Sequence, residues 1–260
     1  KELKVVSPDS AAIILTGVGD IDVGVRAYQA GAFRYLSKPV EEDELIFVLN
    51  SLMQSRREEI ENKWRRVFSE MMETALHKTT FAEVAKVVLE YSIQLGFARA
   101  HLFWSPKRSG TNTGDVLSGV ECCGIDIVRD FPGKNLSISS VKEMWQYLQT
   151  RDATFIPCKA ASKKLIAELA TIGFSVPPSG LWVLPLWGGM ELLGALILDF
   201  SGIQRLLGVQ ERSLLNFFAR QIAVTLEHAE LYDAEKRALQ EAEMFSHIGR
   251  QTGTRAATQN

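Results

Sequence analysis

The 260-residue chain carries 46% hydrophobic and 23% charged residues and a formal net charge of -2. That balance suits one or two globular domains and lacks the basic excess that nucleic acid or an anionic membrane surface calls for. Cys122, Cys123 and Cys158 form neither a disulfide framework nor a Cys-x-x-Cys zinc pair, and no apolar run reaches the roughly 18 residues of a membrane span. These features fit a reducing, cytoplasmic setting without membrane or nucleic-acid partners. The chain starts at Lys1 rather than Met, which reads as a piece of something longer.

Residues 11–16 form a short continuous apolar run ending at Gly17, the pattern of a fully buried strand in a parallel sheet. Gly19-Asp20 turns the chain, and Asp20 caps a helix carrying Ile21, Val23, Val25 and Ala27 that Gly31 closes. Residues 33–36 are a second short strand, followed at once by Ser37-Lys38-Pro39. Acidic residues at 41–43 suit a helix N-terminus, and Leu45, Val48, Leu49 and Leu52 then keep helical spacing. The order strand, helix, strand, helix predicts parallel strands joined by right-handed crossovers.

From residue 51 to about 76 the pattern stays helical but turns highly charged. Met53, Ile60, Trp64, Val67 and Met71 make a narrow apolar stripe. Two readings stay open: a short coiled-coil seam, or one face of a helix packed on its own domain.

A second domain follows. Thr80 caps an amphipathic helix reaching Leu95, with Phe81, Val84, Ala85, Val88 and Leu89 on one side, and Gly96 ends it. Strands are predicted at 98–104, 116–127, 154–157, 181–187 and 192–200, and short helices at 141–148 and 161–170. Residues 105–114 are a polar surface loop, and Gly188-Gly189 marks a hairpin turn. Residues 210 to about 240 form one long helix with Leu215, Phe218, Ile222, Leu226, Ala229 and Tyr232 on a stripe. Residues 249–260 are polar and patternless and read as frayed. Helices around a mainly antiparallel sheet predict an α+β domain.

Ile13-Ile14-Leu15-Thr16-Gly17, Ala30-Gly31-Ala32 and Tyr35-Leu36-Ser37-Lys38-Pro39, with the hydroxyl and the lysine 22 positions apart, resemble the C-terminal part of a response-regulator receiver domain. In open parallel sheets ligands sit at the carboxyl ends of the strands, where a lysine offers a point charge to a phosphoryl group. The resemblance implies a partial flavodoxin-like α/β fold over residues 1–54, holding only the C-terminal strands and helices. It implies that Thr16 and Lys38 contact phosphate, that Tyr35 reports the switch, and that a cis bond before Pro39 places the lysine. It also implies a sensor histidine kinase as phosphodonor of the intact protein. The family's phosphoacceptor aspartate and acidic metal-binding pair lie in a first half without counterpart here. The chain as given is therefore expected neither to accept phosphate nor to bind Mg²⁺ at that site, and its first strand is expected to have an uncovered edge. The N-terminus is therefore read as a truncation of a natural protein, the alternative being a half-domain remnant kept for packing.

Leu181-Trp182-Val183-Leu184-Pro185-Leu186, Gly194-Ala195-Leu196-Ile197-Leu198-Asp199 and the helix from Glu211 to Tyr232 resemble a GAF domain. This adds an α+β domain with an antiparallel sheet over residues 71–233, reached through a linker helix at 55–70 and followed by a helical extension and tail at 234–260. The resemblance implies a small-molecule pocket around residues 120–175, or dimerisation without a ligand. Cys122 and Cys123 lack the flanking residues of bilin attachment, and the three cysteines do not match the spacing of a GAF-type methionine sulfoxide reductase. His77, His101 and His228 read as structural rather than as haem ligands, and Trp145 and Trp182 as core rather than pocket lining. His247 sits in Phe245-Ser246-His247-Ile248, where Ile248-Gly249 replaces the acidic residue of a kinase phosphoacceptor, and is read as chance. No cofactor is identified. The expected function is non-catalytic signal transduction through a homodimer built on the linker helices, with a possible small-molecule ligand. The alternatives are a redox enzyme using the cysteines and a ligand-free dimerisation scaffold.

Overall fold

The computed structural model describes residues 11–17, 21–105, 116–125, 131–138, 142–174, 176–177, 179–200 and 207–256. Asp20 and the loop at 106–115 lie outside the described residues, as do 257–260. The chain divides into two compact units, Lys1–Asn62 and Lys63–Asn260.

In the first unit β1 (Ile13–Thr16) pairs in parallel with β2 (Arg34–Ser37), and α1 (Ile21–Gln29) connects them. This is the parallel pairing read from the sequence. Gly31 stops α1 at a φ of 90°, a conformation that costs a residue without Cβ little. The strand β1 is not fully buried as expected: Ile13 and Ile14 are half-buried and Leu15 is 48% exposed. Among the described residues β1 pairs only with β2, so no third strand extends the sheet on its other side.

Helix α2 (Glu42–Leu76) runs 35 residues without a break, opening on Glu42, Asp43 and Glu44, whose charges suit the positive end of the helix dipole. Its C-terminal part belongs to the second unit, where Trp64, Val67, Phe68 and Met71 are buried. Trp64 meets Phe97 at 6.0 Å between ring centroids, and Phe68 stacks on Phe218 at 4.2 Å. Of the two readings of this stripe, the packed face describes its C-terminal part. Trp64, Val67 and Met71 pack inside their own unit, while Met53 stays 55% exposed.

The second unit is a six-stranded antiparallel sheet flanked by helices. Thr80 begins α3 (Phe81–Gln94) with a complete capping box: its hydroxyl accepts from the Glu83 amide while the Glu83 carboxylate accepts from the Thr80 amide. The strands are β3 (Arg99–Trp104), β4 (Val116–Gly124), β5 (Asn135–Ser137), β6 (Thr154–Ile156), β7 (Leu181–Gly188) and β8 (Glu191–Asp199), ordered β5-β4-β3-β8-β7-β6. Helices α4 (Lys142–Gln149) and α5 (Lys163–Thr171) follow β5 and β6. β5 was not read from the sequence, because Leu136 stands as a single buried apolar residue between the polar Asn135 and Ser137.

The β7–β8 turn is Gly189-Met190, one residue later than predicted. Gly188 pairs with Glu191 inside the ladder, and Gly189 takes the left-handed turn position at φ 62°. Helix α6 (Val209–Ala256) spans 48 residues. The backbone at 249–256 is helical rather than frayed; no proline interrupts the segment. Leu215, Phe218, Ile222 and Leu226 are 0–1% exposed in the core, whereas Tyr232, predicted on the same stripe, is 52% exposed. Every residue from Ala234 to Met244 is exposed.

Candidate functional site

The first candidate site lies at the carboxyl ends of β1 and β2. Register pairs Thr16 with Ser37, and the Lys38 amide donates to the Thr16 carbonyl at 2.6 Å. The fold thereby brings Thr16 and Lys38 to one end of the parallel pair, with the Lys38 side chain exposed. The Lys38–Pro39 peptide is cis, as the resemblance implied. Tyr35 is half-buried, and its ring covers Gly24 of α1: a Cβ on Gly24 would stand 2.9 Å from the ring. Among the described residues, no group of three or more His, Cys, Asp or Glu side chains could hold a metal ion.

The second candidate site is the sheet face of the second unit that α4 and α5 cover. Phe103, Leu117, Phe131, Leu148, Leu165, Phe174, Leu181 and Ile197 form its apolar cluster, each at most 2% exposed. Trp145 packs against this cluster, whereas Trp182 does not: its neighbours Leu181 and Val183 face the cluster, and alternation sends Trp182 to the opposite side, beside Phe155.

Polar groups are few on this face and come from adjacent strands. Arg99 donates from Nε to Asp199 Oδ2 at 2.8 Å, both nearly fully buried, and its guanidinium lies 5.2 Å from the Phe174 ring centroid. His101, two residues along β3, is 2% exposed and meets the edges of Phe131 and Phe174. Among the described residues its Nδ1 has no hydrogen-bond partner. Burial, with the nearby Arg99 charge adding, pulls its pKa down to about 3, so the imidazole is neutral at physiological pH. Sequence reasoning missed the Arg99–Asp199 pair because its members stand 100 residues apart.

The adjacent cysteines face different surroundings. Cys122 pairs across from His101 on the cluster side, and burial foremost pushes its thiol up to about 11. Cys123 pairs across from Ala100 on the other side; its thiol is raised chiefly by burial and next by Glu90 of α3. Neither has the lowered pKa of an activated nucleophile. His77 and His228 are exposed, and the side chain of His247 lies outside the described residues.

No family model and no curated protein matches the chain. Solved structures do. The GAF domain of a phosphoenolpyruvate-protein phosphotransferase from Acinetobacter superposes with a TM-score of 0.51 at 8% identity, over 66% of this chain and 97% of that one. The fold of the second unit is GAF-like. The GAF domain of the corresponding enzyme from Coxiella burnetii gives 0.50 at 11% identity, over 67% and 98%. The photosensory core module of a Stigmatella aurantiaca phytochrome gives 0.50 at 13% identity, over 69% of this chain and 39% of that one. At such identities the likeness is one of fold. Among the described residues, no helix is long and apolar enough to cross a membrane.

Proposed function

We propose that the chain is a non-catalytic signal-transduction module of the cytoplasm, in which the GAF-like unit works as a homodimer. The observation that carries this reading is the two-faced helix α6. One face supplies Leu215, Phe218, Ile222 and Leu226 to the core, while Phe217, Val224 and Leu231 recur every seven residues elsewhere on the helix at 51, 45 and 53% exposure. A seven-residue apolar repeat on a helix surface is what a partner helix packs against. The stretch from Ala234 to Met244 is exposed throughout and leaves this part of the helix open to such a partner as well.

In this reading the first unit is the C-terminal part of a receiver domain, with Thr16, Tyr35, Lys38 and Pro39 as its switch and phosphate-contacting positions. Their support is the placement of Thr16 and Lys38 at one end of a parallel strand pair. In the intact protein a sensor histidine kinase supplies the phosphoryl group, and the change reaches the GAF-like unit through helix packing. The proposed division is 1–54, 55–70, 71–233 and 234–260.

A ligand-free dimerisation scaffold is a second reading, favoured by the close filling of the sheet face with Phe103, Phe131 and Phe174. Native mass spectrometry separates the two, since a sensor carries a small mass lost on denaturation and a scaffold carries none. The redox-enzyme reading has less support, because burial raises the Cys122 and Cys123 thiols. Analytical ultracentrifugation tests the dimer: Val224→Glu together with Leu231→Glu is expected to yield monomer. A wild-type monomer at high micromolar concentration would refute it.

A further inference from the structure

Arg151 is a non-glycine residue at φ 59°, a left-handed conformation that carries a cost and is found where the surroundings impose it. It follows α4, where its amide donates to the Leu148 carbonyl at 3.4 Å. Its guanidinium lies 4.4 Å from the Trp187 ring centroid, Nη1 donates to the Gly189 carbonyl at 3.2 Å, and Nη2 points at the Met190 sulfur at 3.6 Å. The stack and the carbonyl contact hold the guanidinium over the β7–β8 turn. Met190, at the turn's second position, is 85% exposed.

We propose that Met190 is a reversible oxidation site, at which a hydroperoxide converts the thioether to a sulfoxide that Arg151 then holds. A sulfur lone pair attacks one peroxide oxygen and the O–O bond breaks. The departing alkoxide, or hydroxide when the oxidant is hydrogen peroxide, takes the proton left on the new S–OH group and leaves as alcohol or water. Sulfur is oxidised by two electrons and the peroxide is reduced by two. A thioether is a weak acceptor, whereas a sulfoxide oxygen is a polar one, so oxidation turns the weakest contact of the guanidinium into a charge-assisted hydrogen bond.

The product therefore ties the hairpin turn more firmly to the α4–β6 connection. The last turn of α4 and that connection are each already fastened once more. Trp187 Nε1 donates to the Leu148 carbonyl at 3.1 Å, and Asp152 Oδ1 accepts from Asn216 Nδ2 of α6 at 2.9 Å. Oxidation at the turn is thus registered two contacts away, on α6. The inference stands apart from the signalling reading above, because it uses only this corner of the second unit.

The test treats the 260-residue chain with limiting hydrogen peroxide. Peptide mapping locates the sulfoxide, and hydrogen–deuterium exchange follows the amides of residues 187–191. Met53 and Met244, 55 and 66% exposed, are the internal references. Met190 is expected to oxidise no later than they do, and exchange at 187–191 to slow on the order of fivefold, reversing with methionine sulfoxide reductases. Arg151→Gln is expected to abolish the slowing; Arg151→Lys, which keeps the charge, serves should the first variant fail to fold, and is expected to reduce it. Unchanged or faster exchange in the oxidised wild type, equal slowing in either variant, or Met190 left reduced after Met244 has oxidised would overturn the proposal.

Discussion

Asp233 on α6 accepts the backbone amide of Phe81, the first residue of α3, at 2.8 Å through its Oδ2. The first turn of a helix leaves amides without intrahelical partners, and here one of them is satisfied by a residue 152 positions later in the chain. Thr80 and Glu83 cap the same turn locally, so Asp233 adds a tertiary clamp to a local one. Asp233→Ala is expected to cost about 1 kcal/mol, the usual worth of a lost cap. Denaturant unfolding checks this, and a variant as stable as wild type would show the clamp to be idle.

The Arg99–Asp199 pair should be far more sensitive to loss of one member than to loss of both. Both side chains are nearly fully buried at 2.8 Å. Asp199→Asn removes the carboxylate charge that accepts from the buried guanidinium, with an expected cost of about 3–5 kcal/mol. Replacing both residues by apolar ones of similar size is expected to recover part of that loss in the same unfolding assay.

The buried imidazole sets a pH dependence with a definite sign. His101 has a folded pKa of about 3 against an ordinary 6.5. Above pH 6.5 it is neutral in folded and unfolded chains alike, and its contribution is fully present. Below that the unfolded chain takes up a proton that the folded one refuses, so stability falls with falling pH by about 1.4 kcal/mol per unit toward the folded pKa. Carboxylates join below about pH 4.5, which leaves the interval from there to 6.5 as the window for this residue. Unfolding free energies of wild type and His101→Phe across that window provide the check. Equal slopes would contradict the assignment.

Gly24→Ala places a methyl group 2.9 Å from the Tyr35 ring. The ring must move, since carbon atoms do not rest at that separation, while alanine's better helix propensity offsets up to about 1 kcal/mol. The expected outcome is a small net stability change with shifted Tyr35 ring resonances in NMR. Unshifted resonances would mean that the ring does not cover this helix turn.

The sequence was most legible where a signal is local. The Thr80 cap, the glycine stops at Gly31 and Gly96, and the two long helices follow from neighbouring residues acting on one another. The hairpin was legible, but its turn lay one residue further on, because Gly188 and Gly189 are equal candidates until pairing with Glu191 draws Gly188 into the ladder. Thr16 and Lys38 could be placed at one end of a strand pair because a single strand-helix-strand unit separates them. The Arg99–Asp199 pair, the isolated His101 nitrogen and the stack of Arg151 on Trp187 depend on strand order and register, which no local pattern carries.

Cys122 and Cys123 are covalent neighbours that belong to different layers of the second unit. Because β4 sends successive side chains to opposite sides, a thiol-reactive dye at Cys123 would sense separation of α3 from the sheet, and one at Cys122 would sense opening of the layer over Phe131 and Phe174. Two thiols on neighbouring residues thus amount to a built-in pair of strain gauges, each reading a different joint of the same fold.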